Sequence, residues 1–322
     1  MFRRFRIPTP FQVGPVNAYL AGDTLIDPGP DSDEAWARLL EALEGEGMTP
    51  EDVSRVLVTH PHPDHFGLAH RFHEAGASIL ASEPTARIIE DFAARLEYEQ
   101  SFFLEFLQRH GVSEGTAETV TNLPAVFLDY GPDCPVDRVL DDGDELSIDG
   151  RSVTAERVEG HAPGELLLTY EAAPKPGVDP ALRAVVGDHV LADVTPNPWL
   201  QPPSEPNAER PRTLIRFNES LERLADRNFG RLLPGHGDRI DDPTERIRGI
   251  LDAHERRTAE VRDLVDGPTS AIEVMEGLFE DLAATEYFGG MSEAIGHLDV
   301  LEERGAVVSE ERGGMIIYEP AE

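Results

Sequence analysis

The sequence predicts an α+β fold, and three observations predict it. Short apolar and β-branched runs alternate with amphipathic stretches through the first 81 residues, which reads as strands alternating with helices. A second set of short apolar runs between residues 126 and 186 contains the hairpin dipeptide Asp149-Gly150. A helical stretch over about 84–122 and a helix-rich tail from 244 interrupt and follow these strands.

In chain order, Val16-Asn17-Ala18-Tyr19-Leu20 and Thr24-Leu25-Ile26 are strand candidates joined by the turn Ala21-Gly22-Asp23. Asp27-Pro28-Gly29-Pro30 then breaks the chain. Residues 33–46 carry Trp36, Leu39, Leu40 and Leu43 at helical spacing, with Asp31 or Ser32 as the cap. Residues 53–58 read as a strand, 66–75 as a helix and Ser78-Ile79-Leu80-Ala81 as a strand. Ile88, Ile89, Phe92, Leu96, Phe103, Leu104 and Leu107 predict one or two long amphipathic helices, an insertion over about 84–122 rather than core sheet. Glu145-Leu146-Ser147-Ile148, Ser152-Val153-Thr154-Ala155, Leu166-Leu167-Leu168-Thr169-Tyr170 and Ala184-Val185-Val186 are further strands, with Pro174 to Pro180 as a loop. Residues 193–211 hold six prolines and read as irregular; a helix over 212–226 and a strand over 231–233 follow.

From about 244 the sequence changes character. A long charged helix over 244–265 precedes helices over 269–281 and 291–304. Ala306-Val307-Val308 and Met315-Ile316-Ile317-Tyr318 then form two strands around Glu311-Arg312-Gly313-Gly314, a winged-helix outline. The predicted division is residues 1–243 and residues 244–322, the second being a linker helix and a small winged-helix-like domain.

Composition bounds the function. With 322 residues and 40% apolar content the chain can bury a large core. No apolar run approaches the ~18–20 residues that span a bilayer, so no membrane partner is expected. The basic start, Met1 to Pro8, lacks an apolar stretch behind it, and a cytoplasmic protein is expected. The one cysteine, Cys134, excludes an internal disulfide framework and a cysteine-rich metal site. Lys plus Arg is 28 against 62 Asp plus Glu, a net charge of −34, and Lys175 is the only lysine. This is a halophilic-type acidic surface: molar salt, with a Debye length of about 3 Å, would screen its self-repulsion. The same charge disfavours a broad nucleic-acid surface. The partner expected is a small-molecule substrate, with a homodimer as a further candidate.

The chemistry is concentrated in Thr59-His60-Pro61-His62-Pro63-Asp64-His65, directly after the apolar run Val56-Leu57-Val58. Three of the 11 histidines and an aspartate fall within six residues. Imidazole and carboxylate together suit zinc and related divalent ions. Alternation lets His60 and His62 face one side of an extended segment, and Pro61 and Pro63 keep that segment out of helix. Three more ligand-type residues follow apolar strands and sit beside glycine: His161 in Gly160-His161, Asp188 in Gly187-Asp188-His189, and His236 in Pro234-Gly235-His236-Gly237.

His-x-His-x-Asp-His, Gly-His, Gly-Asp and Pro-Gly-His-Gly in this order resemble the metallo-β-lactamase fold superfamily. Asn17-Ala18-Tyr19-Leu20 and Ile26-Asp27-Pro28-Gly29 match its opening strands, so that the resemblance covers roughly residues 10–240. It implies an αββα sandwich with the site at one edge, between two sheets. In its glyoxalase II-like branch, His60, His62 and His161 would hold one metal, and Asp64, His65 and His236 a second. Asp188 would bridge the two. The resemblance thereby implies two divalent ions, zinc ahead of manganese or iron, and catalytic roles for Asp64 and Asp188.

A bridging hydroxide at such a pair attacks a carbonyl or phosphorus centre. Asp27 is a candidate for orienting a ligand histidine, with a turn-forming role as the alternative. His189 and His254 are candidates for contact with substrate or for a place beside the site. The leading expectation is a hydrolase acting on a small ester or thioester. The alternatives are an endoribonuclease or phosphodiesterase using the same site, and a mononuclear iron sulfur dioxygenase. The tail segment Ala294 to Gly305 resembles the ending of a lactamase-like group that includes a mitochondrial endoribonuclease.

Overall fold

The computed structural model describes residues 2–172, 181–205 and 208–321; the predicted Pro174–Pro180 loop and Lys175 lie outside the described residues. The chain divides into two compact units. The first is Met1–Ala93, Val126–Pro196 and Arg223–Ile247; the second is Ala94–Ala125, Asn197–Glu222 and Arg248–Glu322. The division thus does not follow a single cut at 243/244. Residues 94–125 group with the tail because Phe103, Leu107, Ala117 and Val120 share one apolar core with Val274, Met291 and Leu298.

The first unit contains two sheets. One has six strands in sequence order: β1 Arg3–Ile7, β2 Val16–Ala21, β3 Thr24–Ile26, β4 Arg55–Leu57, β5 Ser78–Ser82 and β6 Arg138–Leu140. β1 to β3 run antiparallel, whereas β3 to β6 are parallel. The other sheet contains β7 Glu145–Ile148, β8 Arg151–Arg157, β9 Leu166–Glu171, β10 Leu182–Val185 and β11 Phe229–Leu233, in the order β11-β10-β9-β8-β7. Tyr19, Ile26, Leu57 and Leu80 of the first sheet share a buried cluster with Ile148, Val153, Leu168 and Val185 of the second. The sheets therefore stack face to face, and burial of these side chains is the main favourable term holding them.

Local chemistry explains the elements. Asp149 and Gly150 both take positive φ, 50° and 72°, as a two-residue hairpin turn between β7 and β8 requires. Helix α1 Asp33–Gly45 starts at Ser32, whose hydroxyl accepts the Ala35 amide, and it buries Leu39 and Leu43. The helix predicted over 66–75 is α3 Ala69–Glu74, and a one-turn helix, α2 Pro63–Phe66, precedes it. The stretch over 84–122 is three helices: α4 Glu83–Ile89, α5 Phe92–Arg109 and α6 Glu114–Asn122. Gly111 at φ 97° ends α5, and the Ser113 hydroxyl caps α6. β1, within the first 30 residues that read as β structure but not bounded there, alternates exposed Arg4 and Arg6 with buried Phe5 and Ile7.

In the second unit, α7 Thr213–Ala225 and α8 Pro243–Leu264 contribute the parts that follow Asn197 and Arg248. Its tail comprises β12 Thr269–Ser270, α9 Ala271–Leu278, α10 Ala284–Glu303, β13 Val307–Arg312 and β14 Met315–Pro320. The strands form a sheet in the order β12-β14-β13. Ser270 and Glu273 close α9 with a reciprocal capping box. α10 begins seven residues before the predicted start at 291.

Candidate metal centre

Ligand-type residues collect where strands end. β3 leads into Asp27, β4 into Thr59–His65, β8 toward His161, β10 into Gly187-Asp188 and β11 into Pro234-Gly235-His236. Amide hydrogen bonds tie these exits together: Val186 donates to Leu233, Gly235 to Gly187 at 2.6 Å, and Asn17 to Gly235 at 2.6 Å. The Gly235 position has no room for a side chain. A Cβ there would lie 2.3 Å from Asp188 Oδ1 and 2.7 Å from the His65 ring.

His62 is extended (φ −82°, ψ 139°) and caps α2, whose first position is Pro63. The first turn of α2 presents Asp64 and His65, both buried. His60 Nε2 lies 3.1 Å and His161 Nε2 3.2 Å from His62 Nδ1. These three donors form one group. The other contains His236 Nε2, 3.2 Å from Asp64 Oδ2, together with His65. Asp188 reaches both: its Oδ1 is 3.5 Å from His65 Nε2, and its Oδ2 is 3.5 Å from His236 Nε2 and 3.8 Å from His161 Nε2.

The outer ring atoms are held by the protein. Thr59 donates from its amide and its hydroxyl to Asp27 at 2.8 and 2.7 Å. The Thr59 oxygen is thereby left to accept from His60 Nδ1 at 2.9 Å, which makes Nε2 the bare nitrogen. His65 Nδ1 meets Asp27 Oδ2 at 2.9 Å, and His236 Nδ1 donates to the Gly14 and Pro15 carbonyls at 3.1 Å. Asp27 also meets the distance test for a metal group with His60 and His65. Its two oxygens accept from Thr59 and meet His65 Nδ1, and Asp27 sits at φ +50°.

The charges are arranged for cations. Burial, reinforced by neighbouring His161, pushes the His62 pKa down to about 3. Burial together with His65 and His62 holds His60 well below its ordinary range. Burial opposes charge on His65, but the carboxylates of Asp188, Asp27 and Asp64 outweigh it and raise its pKa. Burial would likewise raise Asp188, but His236 and His65 keep it well below the usual carboxylate range.

His65 Nε2, His236 Nε2 and Asp188 Oδ1 are buried without a hydrogen-bond partner, an arrangement that costs free energy unless another group binds them. Ligands about 2.1 Å from one tetrahedral ion stand about 3.4 Å apart, close to the observed separations. The residues present therefore fit divalent metal ions, and nitrogen and oxygen donors without sulfur suit zinc, manganese or iron.

His189 is fully buried, with Nδ1 3.0 Å from Glu165 Oε2. His254 belongs to the second unit, where its Nδ1 lies 2.7 Å from Asn218 Oδ1 and its ring packs on Phe217. Cys134 is buried, and burial pushes its thiol up to about 12, which leaves it unreactive.

Three supporting residues were not anticipated from the sequence. Asn17 Nδ2 donates to the Pro234 and Gly237 carbonyls at 2.9 Å, and the Tyr19 hydroxyl donates to Pro234 at 2.7 Å, holding the His236 loop. Glu165 accepts the Asp188 amide at 3.1 Å. The available signal was a polar residue inside an otherwise apolar strand: Asn17 in fully buried β2, and Glu165 just ahead of Leu166-Leu167-Leu168.

The family model of the metallo-beta-lactamase superfamily matches residues 12–174. The probable metallo-hydrolase YqjP of Bacillus subtilis (strain 168) is 31% identical over 318 residues, which cover 97% of this chain and 96% of the relative. A metallo-beta-lactamase family protein from Thermus thermophilus superposes with a TM-score of 0.77 at 27% identity, covering 99% of this chain and 98% of that one. A beta-lactamase domain protein from Burkholderia ambifaria gives a TM-score of 0.77 at 26% identity, covering 99% and 92%. With the ordered ligand residues, the paired sheets and these relatives together, the chain belongs to the metallo-beta-lactamase superfamily.

Proposed function

We propose that this protein is a dinuclear metal-dependent hydrolase of small esters or thioesters. The observation that carries the reading is the position of Asp188, whose two oxygens lie 3.5–3.8 Å from nitrogens of both donor groups. His60, His62 and His161 would hold one ion, and Asp64, His65 and His236 the other, with Asp188 shared and zinc the best match to the donors. When bound, two divalent ions supply an activated water and polarise the oxygen of the electrophile.

The chain contributes orientation and charge. One group is three imidazoles; the other adds the Asp64 carboxylate, and the Asp188 carboxylate between them would offset cation repulsion. Asp27, through Thr59 and His65, fixes a ring in each group. Two observations support a small acyl substrate over a phosphodiester. The charge of −34 repels polyanions. An aromatic cluster also lies close in the chain to the carbonyls that hold His236: Phe11 packs on Phe127 and Tyr130, and Val13 is 43% exposed. The segment bearing Phe11 and Val13 continues into Gly14 and Pro15, whose carbonyls hold His236. The helix–helix–hairpin order of the tail supports a winged-helix-type packing module.

The test is a panel of esters and thioesters in molar salt with added zinc or manganese. Turnover that Asp188→Ala loses supports the reading. An inactive panel alongside cleavage of single-stranded RNA would transfer the site to phosphodiesters, and one iron per chain would point to the dioxygenase.

A further inference from the structure

We infer that Glu165 is a positioning residue for the metal centre, acting through the backbone of Asp188. This rests on reading Asp188 as the shared donor. Glu165 is fully buried, so its carboxyl group costs free energy unless its polar atoms are occupied. Both are: Oε1 accepts the Asp188 amide at 3.1 Å and Oε2 meets His189 Nδ1 at 3.0 Å.

The backbone around Glu165 reaches two further donor loops. Its carbonyl accepts from Val158, which leads toward His161, and the next amide, Leu166, donates to Thr59 at 2.9 Å beside His60. Three donor loops thus converge on residues 165 and 166. Gly187 has room for this arrangement only as glycine. It sits at φ +49°, and a Cβ there would lie 3.0 Å from both Glu165 Oε1 and Thr59 Oγ1. His189 is accordingly the anchor that aims Glu165 at the Asp188 amide.

The mechanism is geometric. Asp188 must meet two donor groups at once, and a peptide free to rotate would lose one of them. A side chain that accepts the Asp188 amide at the right distance prevents that rotation. Glu165→Gln keeps an acceptor of the same length, whereas Glu165→Met keeps the length and removes the acceptor.

The test measures zinc affinity and stoichiometry by chelator competition on the full chain in molar salt, with melting of the zinc-free proteins as a folding control. Wild type is expected to hold two zinc ions. Glu165→Met should bind the weaker ion about tenfold or more less tightly, the range seen when partners that orient ligands are removed. Glu165→Gln should stay within about threefold of wild type. If Glu165→Met does not fold, His189→Leu decides, with a weakening of about threefold or more expected from loss of the anchor. Wild-type affinity in Glu165→Met, or in His189→Leu where that variant decides, overturns the inference, as does equal weakening in Glu165→Gln and Glu165→Met. One ion per wild-type chain instead overturns the shared-donor reading itself.

Discussion

The two units bury histidines in contrasting ways. In the first, His65 and His236 each spend one nitrogen on a protein acceptor and leave the other unpartnered, and both face Asp188. In the second, His297 is spanned by the Thr258 hydroxyl at 2.8 Å and by Glu293 at 3.2 Å, and His110 meets the Phe106 carbonyl at 2.7 Å. His254 keeps a bare Nε2, yet it joins no group of three metal-type donors among the described residues. A buried histidine is therefore not in itself a site. Several bare donors converging around a shared carboxylate make one, and the second unit shows what ordinary satisfied burial looks like.

The largest expected effect breaks that contrast at its centre. Asp188→Ala should lower turnover by at least about a hundredfold, beyond the range for partners that only orient ligands, and should lose one bound ion. The matched change in the second unit, His297→Ala, should leave metal content unchanged while lowering the melting temperature. Equal metal loss in both variants would erase the distinction.

Chelation comes next. Ions present at about 100 times their dissociation constant stabilise a fold by about 2.7 kcal/mol, so EDTA should lower the melting temperature of wild type clearly and that of Asp188→Ala much less. Asp27→Asn keeps the shape but disturbs the His65 and Thr59 bonds, and should weaken zinc binding by about 10–100-fold in a chelator competition.

The smallest effect belongs to the second unit. Burial lowers the His254 pKa to about 4. Above pH 6.5 neither folded nor unfolded chain carries that proton. Between about 6.5 and 4 the unfolded chain takes it and the folded chain does not, so stability falls with falling pH. Below about 4 the contribution levels off. Zinc-free wild type should lose more stability than His254→Gln between these limits. Parallel melting curves for the two proteins across that range would contradict the assignment.

Much of the centre was legible because its residues are chemically unusual where they stand: a dense histidine cluster after an apolar strand, and a polar residue with glycine after other apolar strands. The strand ends followed from the same apolar runs. Pro63, expected to keep the segment out of helix, instead starts α2, because a proline is tolerated at the first helical position. Glu165 escaped because one carboxylate ahead of Leu166-Leu167-Leu168 reads as the end of a strand, and only tertiary structure brings it to Asp188. β1 lies within the first 30 residues, which read as β structure, but its bounds are not legible because Arg3, Arg4 and Arg6 mask the alternation of buried Phe5 and Ile7. Local periodicity found the helical character of 84–122, but not its grouping with the tail. That grouping depends on contacts such as Phe103 with Phe288, far apart in the chain.

The most direct test of the central claim is the metal content of the purified wild-type chain set beside that of Asp188→Ala, measured by inductively coupled plasma mass spectrometry at matched free zinc. Two ions per wild-type chain and at most one in the variant is the predicted result. A single ion in both, or two ions in both, would contradict a centre built from two donor groups that share Asp188.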